Sequence, residues 1–156
     1  MRRKKMIKVF VLLMVLGILS AVAIAVYLFN KPHRDVQAAS VDFNITNTNL
    51  VGQYLANPEQ ANQKYLDDKE NSRILAVSGK VYSISRDMNN QSVVLLKDEG
   101  EKAGVSCTFT PQTSDQTKRI RIGQSITVKG VIRAGARYDE DLDLYEDVIL
   151  EECSVP

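Results

Sequence analysis

The chain has no tryptophan, one histidine and two cysteines in 156 residues, and each scarcity removes a class of chemistry. With His33 alone, neither a Ser-His-Asp or Cys-His triad nor a three-histidine zinc site can be assembled. Cys107 and Cys153 are too far apart for a Cys-x-x-Cys motif and have no histidine near them, which argues against a redox dithiol or a zinc pair. There is no glycine-rich phosphate cradle and no dinucleotide fingerprint. No repeat or low-complexity tract occurs. The sequence therefore reads as non-enzymatic, with no cofactor or metal expected.

Acidic residues are missing from the first 30 positions, where Arg2, Arg3, Lys4, Lys5 and Lys8 stand unopposed. Beyond residue 30 the balance reverses, with 15 basic and 19 acidic residues for a net charge of −4. A domain of that sign repels phosphate backbones and lacks the basic footprint of a nucleic-acid binder. Charge is absent altogether from Val9 to Phe29, 21 residues rich in Val, Leu, Ile and Ala. As a helix that run spans about 30 Å, one bilayer core. The basic cluster in front of it places the N-terminus in the cytoplasm and everything after Asn30 outside, with Tyr27 and Phe29 at the far interface. The expectation is a single-pass anchor in the inner membrane of a bacterium, its C-terminal domain periplasmic. Ala21-Val-Ala23 and Ala23-Ile-Ala25 also offer the small-x-small pattern of a cleaved signal peptide, though the apolar run continues past them. No cysteine follows the run, which argues against lipoprotein processing.

The remaining chain divides by pattern. Residues 1–8 form a basic tail, 9–29 the anchor and 30–46 a tether without sustained period. Residues 47–70 carry apolar side chains at helical spacing, interrupted where Asn57, Pro58 and Glu59 read as cap, first position and acidic first turn of a second short helix. From 71 to 156 the period becomes alternating, and five strands can be counted. They are Arg73–Ser85, with Gly79 placed for a bend or bulge, then Ser92–Lys97, Val105–Thr110, a strand opening after Gly123, and Leu144–Cys153. Pro111 to Lys118 could be a short helix or a loop. Five strands with a long, glycine-bent first one predict an all-β fold with a short helical lead, an OB-type Greek-key barrel behind the N-terminal transmembrane helix. An SH3-like barrel or small sandwich is the alternative.

The segments Asn30-Lys-Pro-His-Arg-Asp35, Ala61-Asn-Gln-Lys-Tyr65, Val77-Ser-Gly-Lys-Val81, Gly104-Val-Ser-Cys-Thr-Phe109, Gly123-Gln124, Val128-Lys-Gly130 and Cys153 follow one another in a familiar order. Together they resemble the tRNA-anticodon-like OB-fold family, small anchored or lipidated proteins common in Bacteroidetes. The resemblance implies the OB barrel and says little about activity.

In OB barrels the loops joining strands one and two, and four and five, flank the ligand face. Here they bring forward Arg86, Asp87, Asn89 and Asn90, expected beside Arg137, Tyr138 and Asp139, as candidate ligand-binding residues. The partner expected is an envelope protein, peptide or glycan. A nucleic-acid reading would use Lys80, Arg119, Arg121 and Arg133, with only Tyr82 and Tyr138 as stacking platforms. Strand two offers Val93, Val94, Leu95 and Leu96 instead of the aromatics that single-strand binders present. Asp139, Asp141 and Asp143 alternate as in a calcium loop, yet Leu144 stands where such a loop needs glycine. The sequons at Asn44 and Asn90 read as accidental in a bacterium. Cys107 and Cys153 would lie on neighbouring strands three and five, so a disulfide worth about 4 kcal/mol and a pair of buried free thiols both remain open.

Overall fold

The structure, a computed structural model, describes residues 2–29, 35–67 and 72–156. In the first segment the described side chains are Met6 and residues 13–26. Two compact units result, Met1–Arg34 and Asp35–Pro156.

The first unit is one helix, α1 (Arg2–Phe29). Its described side chains are exposed all round, and Ser20 Oγ donates to Leu16 O 2.9 Å away. That bond satisfies the hydroxyl within the helix itself. Among the described residues no helix is long and apolar enough to cross a membrane. The charge-free run extends beyond the described side chains at both ends, so the crossing expected at 9–29 is not shown.

The second unit is mostly β, with a closed five-stranded barrel. The long strand β2 (Ile74–Arg86) pairs antiparallel with β5 (Ser125–Ala134) along residues 74–80, then changes partner to β3 (Ser92–Leu96) along 81–86. From β3 the sheet continues to β4 (Val105–Phe109), then in parallel to β8 (Val148–Ser154), which closes on β5. This is the strand order of an OB barrel. Strict alternation in β3 and β4 sends Val94, Leu96, Val105, Cys107 and Phe109 inward, all fully buried. Each such side chain contributes about 1.5–3 kcal/mol. The segment Pro111 to Lys118, open between helix and loop, contains a 3₁₀ turn at Ser114–Arg119.

Two boundaries differ from expectation. Residues 35–46 do not read as tether in the fold: Phe43–Thr46 forms strand β1, parallel to β2 in the register Phe43↔Leu75. The segment before it covers the outside of the barrel, where Val36 packs on Ile74 and Val131. Lys129 is 9% exposed and donates from Nζ to Gln37 O and Ala39 O. No four-residue strand and no period-breaking loop could reveal this from sequence, because the contacts span some 90 residues. Residues 30–34 lie outside the described residues. At the other end, Leu144–Glu146 is not part of the fifth barrel strand; as β7 it forms a separate hairpin with β6 (Arg137–Asp139). Of the two states left open for the cysteines the structure has the unbridged one, Cys107 and Cys153 both being free and buried. Burial, with the neighbouring Cys107 thiol, pushes the Cys153 thiol up.

The two short helices form as expected, α2 (Asn47–Ala56) capped by Thr46 and α3 (Pro58–Tyr65) capped by Asn57. Residues 68–71, the end of that lead, lie outside the described residues. Gly79 serves a different purpose from the one expected. The register slip falls at Val81/Ser83, whereas a Cβ on Gly79 would stand 2.8 Å from Asn47 Oδ1. Glycine is needed there so that α2 can lie close over the point where β2 changes partner. Asn47 Nδ2 in turn donates to Glu101 Oε2, which also accepts from Asp98 N, fixing the loop after β3.

Tyr54 of α2 is 1% exposed and its hydroxyl has no hydrogen-bond partner among the described residues. Burial, then the neighbouring Tyr65, pushes its pKa up to about 12. An unfolded tyrosine releases its proton near pH 10, so stability is intact below about pH 10 and falls as pH rises towards 12. Tyr54→Phe is expected to unfold at a denaturant midpoint equal to or above the parent, by up to about 1 kcal/mol. It should also lose the alkaline decline between pH 10 and 12, which chemical denaturation across that range would show.

Candidate ligand face

Alternation that fills the barrel with every second residue turns the others outward. On β3, β4 and β8 those are Val93, Leu95, Ser106, Thr108, Ile149 and Glu151. The registers Leu95↔Ser106 and Ser106↔Ile149 align them into one row across three strands, and Val93↔Thr108 forms the next. Val93 and Leu95 are half-buried and Ile149 is 40% exposed. The row is apolar at both ends and polar only at Ser106. Tyr82, 53% exposed, stands on β2 with the Lys97 ammonium 5.9 Å from its ring centre.

Two loops bracket this face. In the first, Asp87 Oδ1 accepts from Asn89 N and Gln91 N, and Asn90 takes a positive φ of 62°. Arg86 Nη1 donates to Asn90 Oδ1 at 2.9 Å, so Arg86 and Asn90 are brought together and Met88 is left fully exposed at the tip. In the second, the β6–β7 hairpin, Arg137 pairs with Glu146 and Tyr138 donates to Asp143. The Tyr138 and Tyr145 rings lie 4.9 Å apart, and Asp139 Oδ1 caps Asp141 N and Leu142 N. The Arg137 hydrogen bond lowers the Glu146 pKa, and Glu146 raises that of Arg137. The hydrogen bond to Asp143 raises that of Tyr138. Leu142 is 65% exposed between these acids.

The two loops do not stand beside one another. Ser92 Oγ and Ser114 Oγ, 2.8 Å apart, place the first loop at the end of the barrel where β4 finishes. The hairpin lies where β4 begins, because Gly104 N donates to Asp147 Oδ1 at 2.7 Å and Val148 N to Gly104 O. Parallel pairing of β4 with β8 forces this. The candidates Arg86, Asn89 and Asn90 are therefore separated from Arg137, Tyr138 and Asp139 by the length of a five-residue strand, about 17 Å. They bracket the face from opposite ends. Of the basic set Lys80, Arg119, Arg121 and Arg133, the last is neutralised by Glu151 at 3.1 Å and Glu152 at 3.3 Å. Among the described residues no three His, Cys, Asp or Glu side chains are placed to hold a metal. Ile149 and Met88 were missed in sequence; the alternation Val148-Ile149-Leu150 is the signal that could have found the first.

A comparison of the whole sequence with protein families matches tRNA_anti-like over residues 1–140. The chain belongs to the tRNA_anti-like family. Among solved structures, a lipoprotein of Klebsiella pneumoniae subsp. pneumoniae MGH 78578, named for an inferred nucleic acid-binding role, superimposes with a TM-score of 0.53. It shares 17% identity over 80% of this chain and 98% of its own, a likeness of fold. No curated protein matches the chain.

Proposed function

We propose that this chain is a non-catalytic binding module of a bacterial envelope, held in the cytoplasmic membrane by α1 with its N-terminus inside and its barrel outside. The barrel engages a protein or peptide segment with an apolar centre and a basic flank. One observation carries the reading: a partly exposed row, Leu95–Ser106–Ile149 with Val93 beside it, lies between loops that expose Met88 and Leu142. Apolar surface left open at a sheet face marks an interaction site. The flank follows from charge, since Asp139, Glu140, Asp141 and Asp143 crowd the hairpin end. The anchor rests on the 21 uncharged residues and the basic cluster before them.

A second reading, single-stranded nucleic acid, is favoured by the name of the similar lipoprotein. Against it stand a face without aromatics on β3, β4 or β8 and an acidic bracketing hairpin. The two separate in one experiment. A photo-reactive residue is placed at Ile149, at Tyr138 or, as control, at exposed Gln63 in the full chain in its own cells. A single protein crosslinked from both Ile149 and Tyr138 but not Gln63, and lost when Leu95→Asp is added, is the expected result. Capture of RNA or DNA from Ile149 would replace this reading with the second, and equal capture from Gln63 would remove the face from consideration.

A further inference from the structure

A different part of the barrel holds a second feature. The 3₁₀ turn and the strand that follows enclose a cleft of about 410 Å³ against the C-terminus. Its floor is apolar, made by Ile120, Ile126 and Val155, all partly buried against the main core. The rim is polar, with Arg119, Gln116, Gln124 and Asp115. That combination of an apolar floor, a few polar groups and a volume of a few hundred Å³ is the ordinary make-up of a small-ligand site.

The rim is biased towards donors. Gln116 Oε1 accepts from Val155 N at 2.8 Å and Gln124 Oε1 from Arg121 N at 3.2 Å. Both carboxamide oxygens are thus engaged, and among the described residues neither amide nitrogen has a hydrogen-bond acceptor. The one rim carboxylate is engaged as well, because Asp115 pairs with Lys118 at 2.6 Å. Arg119 is left without an ion pair or side-chain hydrogen bond among the described residues, and so is Arg121 two positions on. Arg133 and Arg137, by contrast, both find acids. A guanidinium and two amide donors above an aliphatic floor match one chemistry. A carboxylate is held by the planar donors and its chain is removed from water below.

The geometry points to a binding site for a small aliphatic carboxylate, its chain on Ile120, Ile126 and Val155 and its charged end on Arg119. No residue of the outer face takes part, so this site stands or falls independently of the partner proposed above. The test is methyl NMR on the full chain in lipid nanodiscs, with isoleucine methyls labelled and hexanoate titrated. The expected result is a saturable shift of the Ile120 and Ile126 methyls while Ile74, buried under a different cover, stays still. Hexanamide should bind about tenfold more weakly, and Arg119→Gln should lose a similar factor for hexanoate, the worth of one charge-assisted bond. Arg119 is exposed, so the variant keeps its fold, and the unmoved Ile74 methyl verifies this in the same spectrum. Absence of a saturable shift overturns the site. Equal binding of hexanamide, or unchanged binding by Arg119→Gln, overturns the role of charge. Inorganic phosphate binding as tightly as hexanoate overturns the role of the apolar floor.

Discussion

Gly135→Ala is expected to destabilise the barrel by about 3 kcal/mol, at the upper end of overpacking in a tight interior. Gly135 lies at the root of the β6–β7 hairpin, against the flat of Tyr54, and a Cβ there would overlap the Cδ1 and Cε1 of the ring. Tyr54 cannot retreat, since it is fully buried and also packs on Tyr65, ring centres 6.1 Å apart. The added methyl must therefore shift α2, the hairpin root or both. Denaturant unfolding gives the magnitude, and the double variant Gly135→Ala with Tyr54→Leu identifies the cause. If the ring is the obstacle, the pair costs less than the sum of the single changes. A Gly135→Ala protein within about 0.5 kcal/mol of the parent would show that the hairpin root is free to move. Because this contact ties α2 to the hairpin, the same variant should lower crosslinking from Tyr138 more than from Ile149.

Lys129→Met is the second large effect, and it is expected to be local. The ammonium is the hub that holds residues 35–42 on the barrel, donating to Gln37 O and Ala39 O from an almost fully buried position. Methionine keeps the stem and its packing but removes the donor, leaving two carbonyls to find water. Hydrogen bonds to a charged group are worth about 1.5–3 kcal/mol, so the segment and the four-residue β1 behind it should open far more often. Hydrogen exchange is the suitable measurement. Amides of residues 36–46 should exchange at least about tenfold faster, the equivalent of 1.4 kcal/mol, while those of β4 stay protected. The amide of Ile74, which donates to Asp42 Oδ2 at 2.8 Å, reports the junction between the two regions. Unchanged protection at 36–46 would mean that Val36 on Ile74 and Val131 suffices to hold the segment. Loss of protection throughout would mean that the segment is part of the folding unit.

Both effects come from positions whose meaning is tertiary. In sequence, Lys129 sits between Val128 and Gly130 as the outward member of an alternating strand, which ordinarily means solvent. The fold lays a distant segment over it. Gly135 reads as a loop glycine and is instead a close approach between elements some 80 positions apart in the chain. Gly79 is the middle case: the need for a glycine in the long first strand was legible, while its reason, the seat of Asn47, required α2 to be in place. The parts of the ligand face divide in the same way. Val93 and Leu95 are readable as the alternate residues of strand two, but Ile149 joins them only through the parallel register of β4 with β8.

What the sequence alone determined is local and periodic. Alternation set which side chains of β3 and β4 fill the barrel, Asn57-Pro58 set where α2 yields to α3, and the order of short motifs identified the family. These follow from backbone geometry and nearest neighbours, for which a single chain segment is sufficient. The tertiary structure decided everything that depends on which distant segments meet. It put the two loops at opposite ends of the face, left Cys107 and Cys153 as free thiols, made a strand of Phe43–Thr46 and left Arg119 without an acid among the described residues. The reason is that strand pairing and burial are set by contacts between residues far apart in sequence. Those contacts are chosen by the closure of the barrel as a whole and leave no periodic trace in the segments that make them.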